Sequence, residues 1–301
     1  MSGSFIRAAL GEPLASIDAD GGGFSTFYYF ATALAVGIAA TLPFVPVAAI
    51  GRKFFILMSL IAVVFLALAT AASSLAIHWL HAALAGLLII YNISLPPQAG
   101  VDRSRRREEL EGGPPRVQGR FSGVILLASA ACGLAGVTAD ALSYPAALPF
   151  RGPQEPWLMA SFLSSALVLG AGLTSMVLGH WYLVARGLSF APLARLTRLF
   201  LAALAVRAGA ACGSAWMQGD LWSRMAESSG ATAFLIDPGM FVLFRGLFGI
   251  VTPFFLGVMA MRCIAIRSNQ SATGILYVNL AFTLMGEIMA KHLLVSRGLV
   301  L

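Results

Sequence analysis

Residues 54–95 read FFILMSLIAVVFLALATAASSLAIHWLHAALAGLLIIYNISL, about forty apolar residues in which Ser73 and Ser74 make the break between two helix-length runs. A hydrocarbon core roughly 30 Å thick is crossed by roughly 20 apolar residues in a helix. The stretch is therefore too long for one crossing, and the serine pair predicts a tight helical hairpin between two. It also lacks the alternation and ten-residue period of an outer-membrane barrel strand.

The same pattern extends in both directions. Of the 301 residues 58% are hydrophobic and 11% charged, and the mean hydropathy is +0.84. This exceeds what a water-soluble core of this length needs, so the bilayer is the expected solvent. The predicted fold is all-α: one transmembrane domain over residues 1–301, built of eight spans near 25–50, 54–72, 75–95, 121–142, 157–185, 197–217, 238–261 and 271–294. Residues 1–23 form a short polar segment, and Phe24 then opens an apolar run too long for a signal peptide. Asp237 and Pro238 are the expected N-cap and first position of span seven. Pro43, Pro46 and Pro253 predict kinks or helix ends. Gly209 and Gly213 form a GxxxG that predicts close approach of a neighbouring helix.

Charge gives the bundle a hand. Thirteen Lys and Arg fall in alternate connections: Arg52 and Lys53; Arg103, Arg105, Arg106, Arg107, Arg116 and Arg120; Arg186, Arg195 and Arg198; Arg262 and Arg267. Five, namely Arg7, Arg151, Arg224, Lys291 and Arg297, fall on the other side. The positive-inside rule places the thirteen in the cytoplasm and both termini outside, as expected of a multi-pass protein of the inner, cytoplasmic membrane. The formal charge of +7 therefore has a topological use, and nucleic acid is discounted as a partner. The loop 96–120, RSRRREELEGGPPR at its centre, reads as a basic solvated connection touching anionic lipid. A surface segment, GLSFAPLARLTR, is expected before span six.

Ionisable residues inside a bilayer cost roughly 2.5–3.5 kcal/mol each and mark places to look for function. Arg207 lies mid-span, Arg245 a third of the way into span seven and Glu287 in the outer half of span eight. Arg245 and Glu287 fall at matching depth, so an interhelical pair competes with a local Glu287–Lys291 pair at i, i+4. Arg207 has no carboxylate at its depth in this reading.

His78, His81 and His292 lie toward the outer side. They are candidate haem iron ligands, with His81 and His292 the preferred pair for haem b. A histidine beside a carboxylate is alternatively suited to hydrogen-bonding a quinone and exchanging its protons. His180, Trp181 and Tyr182 in GHWYLVARG form a candidate pocket for a planar ring or headgroup, with Arg245 and Glu287 as further cofactor-binding candidates. Cys132, Cys212 and Cys263 stand apart from one another and carry no metal or haem-attachment motif, and hydrolase, ATPase and dinucleotide signatures are absent from the chain.

Three functions stand open on these residues. The first is a membrane subunit of a respiratory electron-transfer complex, carrying quinone or haem b and working with other subunits. In helix number alone it resembles the quinone-interacting membrane anchors of the polysulfide-reductase type, without a shared motif. The second is an ion-coupled carrier using Arg207, Arg245 and Glu287. The third is an assembly scaffold in which buried charges only join helices.

Overall fold

The computed structural model describes residues 22–72, 79–95, 120–143, 155–185, 189–219, 222–223, 227 and 239–301. Every regular element among them is helical. In chain order these are α1 (Gly22–Thr41), α2 (Arg52–Ala72), α3 (Trp79–Ser94), α4 (Arg120–Ser143), α5 (Glu155–Val184), α6 (Ala191–Met217), α7 (Met240–Ala265) and α8 (Asn269–Arg297). Seven of these helices are long and apolar enough to cross a membrane; α3 is apolar but has 16 residues. The architecture is that of a multi-pass membrane protein. Ser73, Ser74, His78, the loop residues 96–119, Arg186, Asp237 and Pro238 lie outside the described residues.

α1 and α5 form the centre. α1 packs on α2, α4, α5 and α8, and α5 packs on α1, α4, α6 and α8. Their crossing is backbone on backbone, because a Cβ on Gly37 would run into the main chain of Ala166 and one on Gly170 into that of Gly37. Two small residues at a crossing replace side-chain volume with main-chain contact, the usual helix-packing device in lipid. Thr41 and Thr174 hydrogen-bond across the same seam, 2.9 Å between hydroxyls. The periphery exposes large apolar residues such as Leu60, Leu68, Ile90, Ile93, Leu243 and Phe255, a surface suited to acyl chains and costly in water.

Several local expectations are corrected. Span one ends at Thr41 rather than near residue 50. Pro43 sits in a 3-10 turn, Leu42–Phe44, and Pro46 precedes a single helical turn, Val47–Ile50, as two prolines without N–H donors require. α6 begins at Ala191, with Pro192 in its first turn, so the second half of GLSFAPLARLTR continues into the helix instead of forming a separate surface segment. Half of the GxxxG serves helix packing: Gly213 receives the ring of Trp157 from α5, whereas a Cβ on Gly209 would meet nothing within 4 Å.

α7 departs from α-helical geometry in its middle, where Leu247–Val251 form a π-helical turn. Pro253 has no N–H to bond the carbonyl of Gly249, four residues before it, and the widened turn falls on this gap. Gly249 there lies against Gly286 of α8, so closely that a Cβ on either would collide with the other's backbone. At the end of α8, Gly298 adopts φ 68°, a left-handed conformation that glycine takes without steric cost. The chain then turns back, and Leu299, Val300 and Leu301 are buried.

Candidate functional site

Among the described residues, buried ionisable side chains are joined by hydrogen bonds into two groups. The first is centred on Glu287. Its Oε1 accepts from Arg207 Nε at 3.0 Å and from Arg245 Nη2 at 2.9 Å, and its Oε2 accepts from Ser165 Oγ at 2.6 Å and Arg207 Nη2 at 3.2 Å. Arg207 also donates to Ser161 Oγ and to the main-chain oxygen of Leu301. Helices α5, α6, α7 and α8 thus meet on one carboxylate. The interhelical Arg245–Glu287 pair forms, and the reading of Arg207 as lacking a carboxylate is corrected. Arg207 is fully buried and its long stem carries the guanidinium across to α8.

Lys291 is likewise corrected. It belongs inside the bundle, 1% exposed, rather than on the outer flank. Its Nζ lies 3.8 Å above the centre of the Phe162 ring, a cation–π contact, instead of pairing directly with Glu287.

The second group joins α1, α3 and α4. His81 Nε2–H donates to Asp140 Oδ2 at 2.8 Å, and Tyr28 donates its hydroxyl to Asp140 Oδ1 at 3.3 Å. All three residues are buried. The ring of His81 lies over Gly136, where a Cβ would come within 2.7 Å of Cε1. Beside this pair is a cavity of about 150 Å³, walled by Tyr28 and Thr32 of α1, Leu66 and Ala69 of α2 and His81 and Ala85 of α3, and its accessible lining is almost wholly apolar. A cavity of that volume accommodates a single six-membered ring. Ala67, Thr70 and Ala82 at its edge are exposed.

Comparisons with protein-family models, curated proteins and solved structures find no match. The chemistry of the site therefore rests on the residues themselves.

The remaining candidates fall elsewhere. The proposed haem pair is not brought together. His81 is turned inward onto Asp140, on a helix that packs with α2 and α4, whereas His292 is exposed on α8 beside Phe241, their ring centres 5.8 Å apart. The reason is helical geometry: consecutive residues point about 100° apart, so burying Lys291 sends His292 outward. Nor do His180, Trp181 and Tyr182 line one pocket. His180 is exposed against Tyr277, Trp181 packs on Phe54, and Tyr182 donates to the main-chain oxygen of Ser189 at 2.8 Å, tying down the connection to α6. Among the described residues no cluster of three or more His, Cys, Asp or Glu could hold a metal.

Asp140 and Tyr28 are the participants that sequence reasoning missed. The signal was available. Asp140 lies three residues before the end of α4 and His81 two residues after the start of α3, so antiparallel neighbours place them at one depth.

Proposed function

We propose that the protein is a membrane subunit of an electron-transfer complex and binds a quinone ring in the cavity beside His81. The observation that carries this reading is the buried His81–Asp140 pair at 2.8 Å beside a ring-sized apolar cavity whose edge residues Ala67, Thr70 and Ala82 are exposed. A quinone is lipid-soluble and reaches such an edge from within the bilayer. It needs an apolar slot for its ring and a donor for its carbonyl oxygen, and it exchanges protons when it changes redox state. With Nε2–H on Asp140, His81 donates to a quinone carbonyl only from Nδ1 and only as the imidazolium, the form that the Asp140 carboxylate stabilises and whose proton it can exchange. Quinone is favoured over haem b here because His292, the second ligand that a bis-histidine haem would need, is exposed on α8 beside Phe241 rather than turned toward His81.

The Glu287 group supports a structural role. Its carboxylate is satisfied by Arg207, Arg245 and Ser165, and it fastens four helices as a scaffold would. We further propose that α3 is an eighth span, that both termini lie outside the cytoplasm, and that the protein resides in the inner membrane with the His81 pocket in the outer half.

The test is direct binding of a short-tailed benzoquinone to the detergent-purified chain, followed by tryptophan fluorescence. His81→Gln and Asp140→Asn are expected to weaken it at least tenfold. Unchanged affinity in both variants would remove quinone from this pocket. Accessibility of single cysteines placed at residues 7 and 116 to an impermeant thiol reagent checks the orientation.

A further inference from the structure

Beyond α8 the chain is held in the way a bound peptide is held. Gly298 turns it out of the helix, with its own N–H on the carbonyl of Leu294 and that of Leu299 on the carbonyl of Leu293. Residues 299–301 then run along α6, from its C-terminal end toward its middle. Gln218 Oε1 accepts the N–H of Val300 at 3.3 Å, Ser214 Oγ donates to the main-chain oxygen of Val300, and Arg207 Nη2 donates to that of Leu301 at 2.7 Å. Positions 207, 214 and 218 are separated by seven and four residues, the spacing of one helix face.

The side chains of the segment alternate. Leu299 and Leu301 pack in one cluster with Leu293 of α8, Ala215 of α6 and Phe241 of α7, whereas Val300 packs with the main core of the bundle. All three are buried. A period of two is that of an extended strand. Main-chain hydrogen bonds for affinity, with apolar contacts for alternate side chains, are the two components by which proteins recognise an extended peptide. Here the three partners of the segment's main chain are side chains of α6, so the recognising groups stay in place without the segment. Arg207 in particular remains fixed by Glu287 and Ser161.

We propose that this face of α6, with the apolar cluster beside it, is a recognition site for an extended apolar peptide segment of a partner protein, and that residues 299–301 occupy it in cis. Preorganised donors and acceptors lower the cost of binding a second such segment. A tethered occupant competes at an effective concentration on the order of millimolar, so the partner segment enters as the resident one leaves. Departure requires rotation at Gly298, where no side chain resists a change of φ. The site is built on α6, α7 and α8, whereas the His81 cavity is walled by α1, α2 and α3, so it stands whether or not a quinone binds.

The experiment uses the full chain in detergent. Leu299→Ser combined with Leu301→Ser keeps the length of the segment and removes its apolar anchors, which empties the site. Binding of a fluorescein-labelled Gly-Leu-Val-Leu peptide, with a free carboxylate and as the amide, is read by anisotropy. At least one form is expected to bind this variant at least tenfold more tightly than the unaltered chain. A Gly-Leu-Pro-Leu peptide, which lacks the N–H that Gln218 accepts, and the further substitution Gln218→Leu are each expected to weaken binding at least fivefold. Binding that neither change weakens lies elsewhere and overturns the site, as does the absence of binding to the folded variant. If the double variant fails to fold, the single substitution Leu301→Cys decides. Its rate of labelling by a thiol reagent, read at residue 301 by mass spectrometry, is expected to rise at least threefold when millimolar Gly-Leu-Val-Leu displaces the segment, and a rate independent of the peptide ends the proposal.

Discussion

Arg207 of α6 and Glu287 of α8 meet through two hydrogen bonds, at 3.0 and 3.2 Å, with both side chains essentially inaccessible. This parallel approach of a planar fork to a carboxylate has a directional strength that a lysine could not reproduce. Because Arg245 shares the same oxygen, the carboxylate neutralises part of two cationic charges at once.

Glu287→Gln is therefore expected to destabilise the protein severely. Two buried guanidinium groups would lose their counter-charge together, and breaking a buried ion pair from one side costs about 3–5 kcal/mol. Thermal unfolding in detergent checks this. A loss below about 1 kcal/mol would mean that the arginines find other partners.

The two arginines should not be equivalent. Arg207 bonds Glu287 twice, Ser161 and the main-chain oxygen of Leu301, whereas Arg245 contributes a single bond, to Glu287, and its Nε and Nη1 make none. Hydrogen bonds to charged groups contribute about 1.5–3 kcal/mol each. Arg207→Met is expected to cost at least about 1.5 kcal/mol more than Arg245→Met in the same unfolding assay. The reverse order would make Arg245 the principal partner of Glu287.

How far these arrangements were legible in the sequence depends on the kind of signal. Helices were readable because lipid demands long apolar runs, and depth matching paired Arg245 with Glu287 because antiparallel helices keep residues in register. Arg207 escaped that reasoning because its side chain spans several ångströms between depths. The His81–His292 pairing failed because depth does not specify facing: the two residues can be at one level and still point to opposite sides of different helices. Asp140 lies near a helix end, where charge is commonplace and carries little signal in sequence, although packing against α1 and α3 buries it.

Gly136→Ala is expected to disturb the His81–Asp140 pair without removing any polar atom. The added Cβ would sit 2.7 Å from Cε1 and 2.9 Å from Nδ1 of His81, which forces the imidazole off its 2.8 Å bond to Asp140. Gly123→Ala, on the same helix with nothing within 4 Å of its Cβ, is the control. It should be neutral or stabilise α4 by up to about 1 kcal/mol. Benzoquinone binding should fall several-fold in Gly136→Ala and stay unchanged in Gly123→Ala. Equal affinities in both would show that the position of the His81 ring does not matter to the ligand.

Filling the cavity separates binding from folding. Ala85 lies on its wall and takes no part in the hydrogen bonds of His81, Asp140 and Tyr28. Ala85→Leu places three further carbons in space that is otherwise unfilled. Occupying a void regains dispersion contacts, so stability should hold or rise by about 0.5–2 kcal/mol. The ligand's ring competes for the same volume, and benzoquinone affinity should fall at least tenfold, equivalent to about 1.4 kcal/mol. A destabilised Ala85→Leu would mean the wall cannot accept the side chain, and Ala82→Leu at the exposed edge then provides the same test by narrowing the opening. Retained affinity in a stable, filled variant would place the ligand outside this cavity.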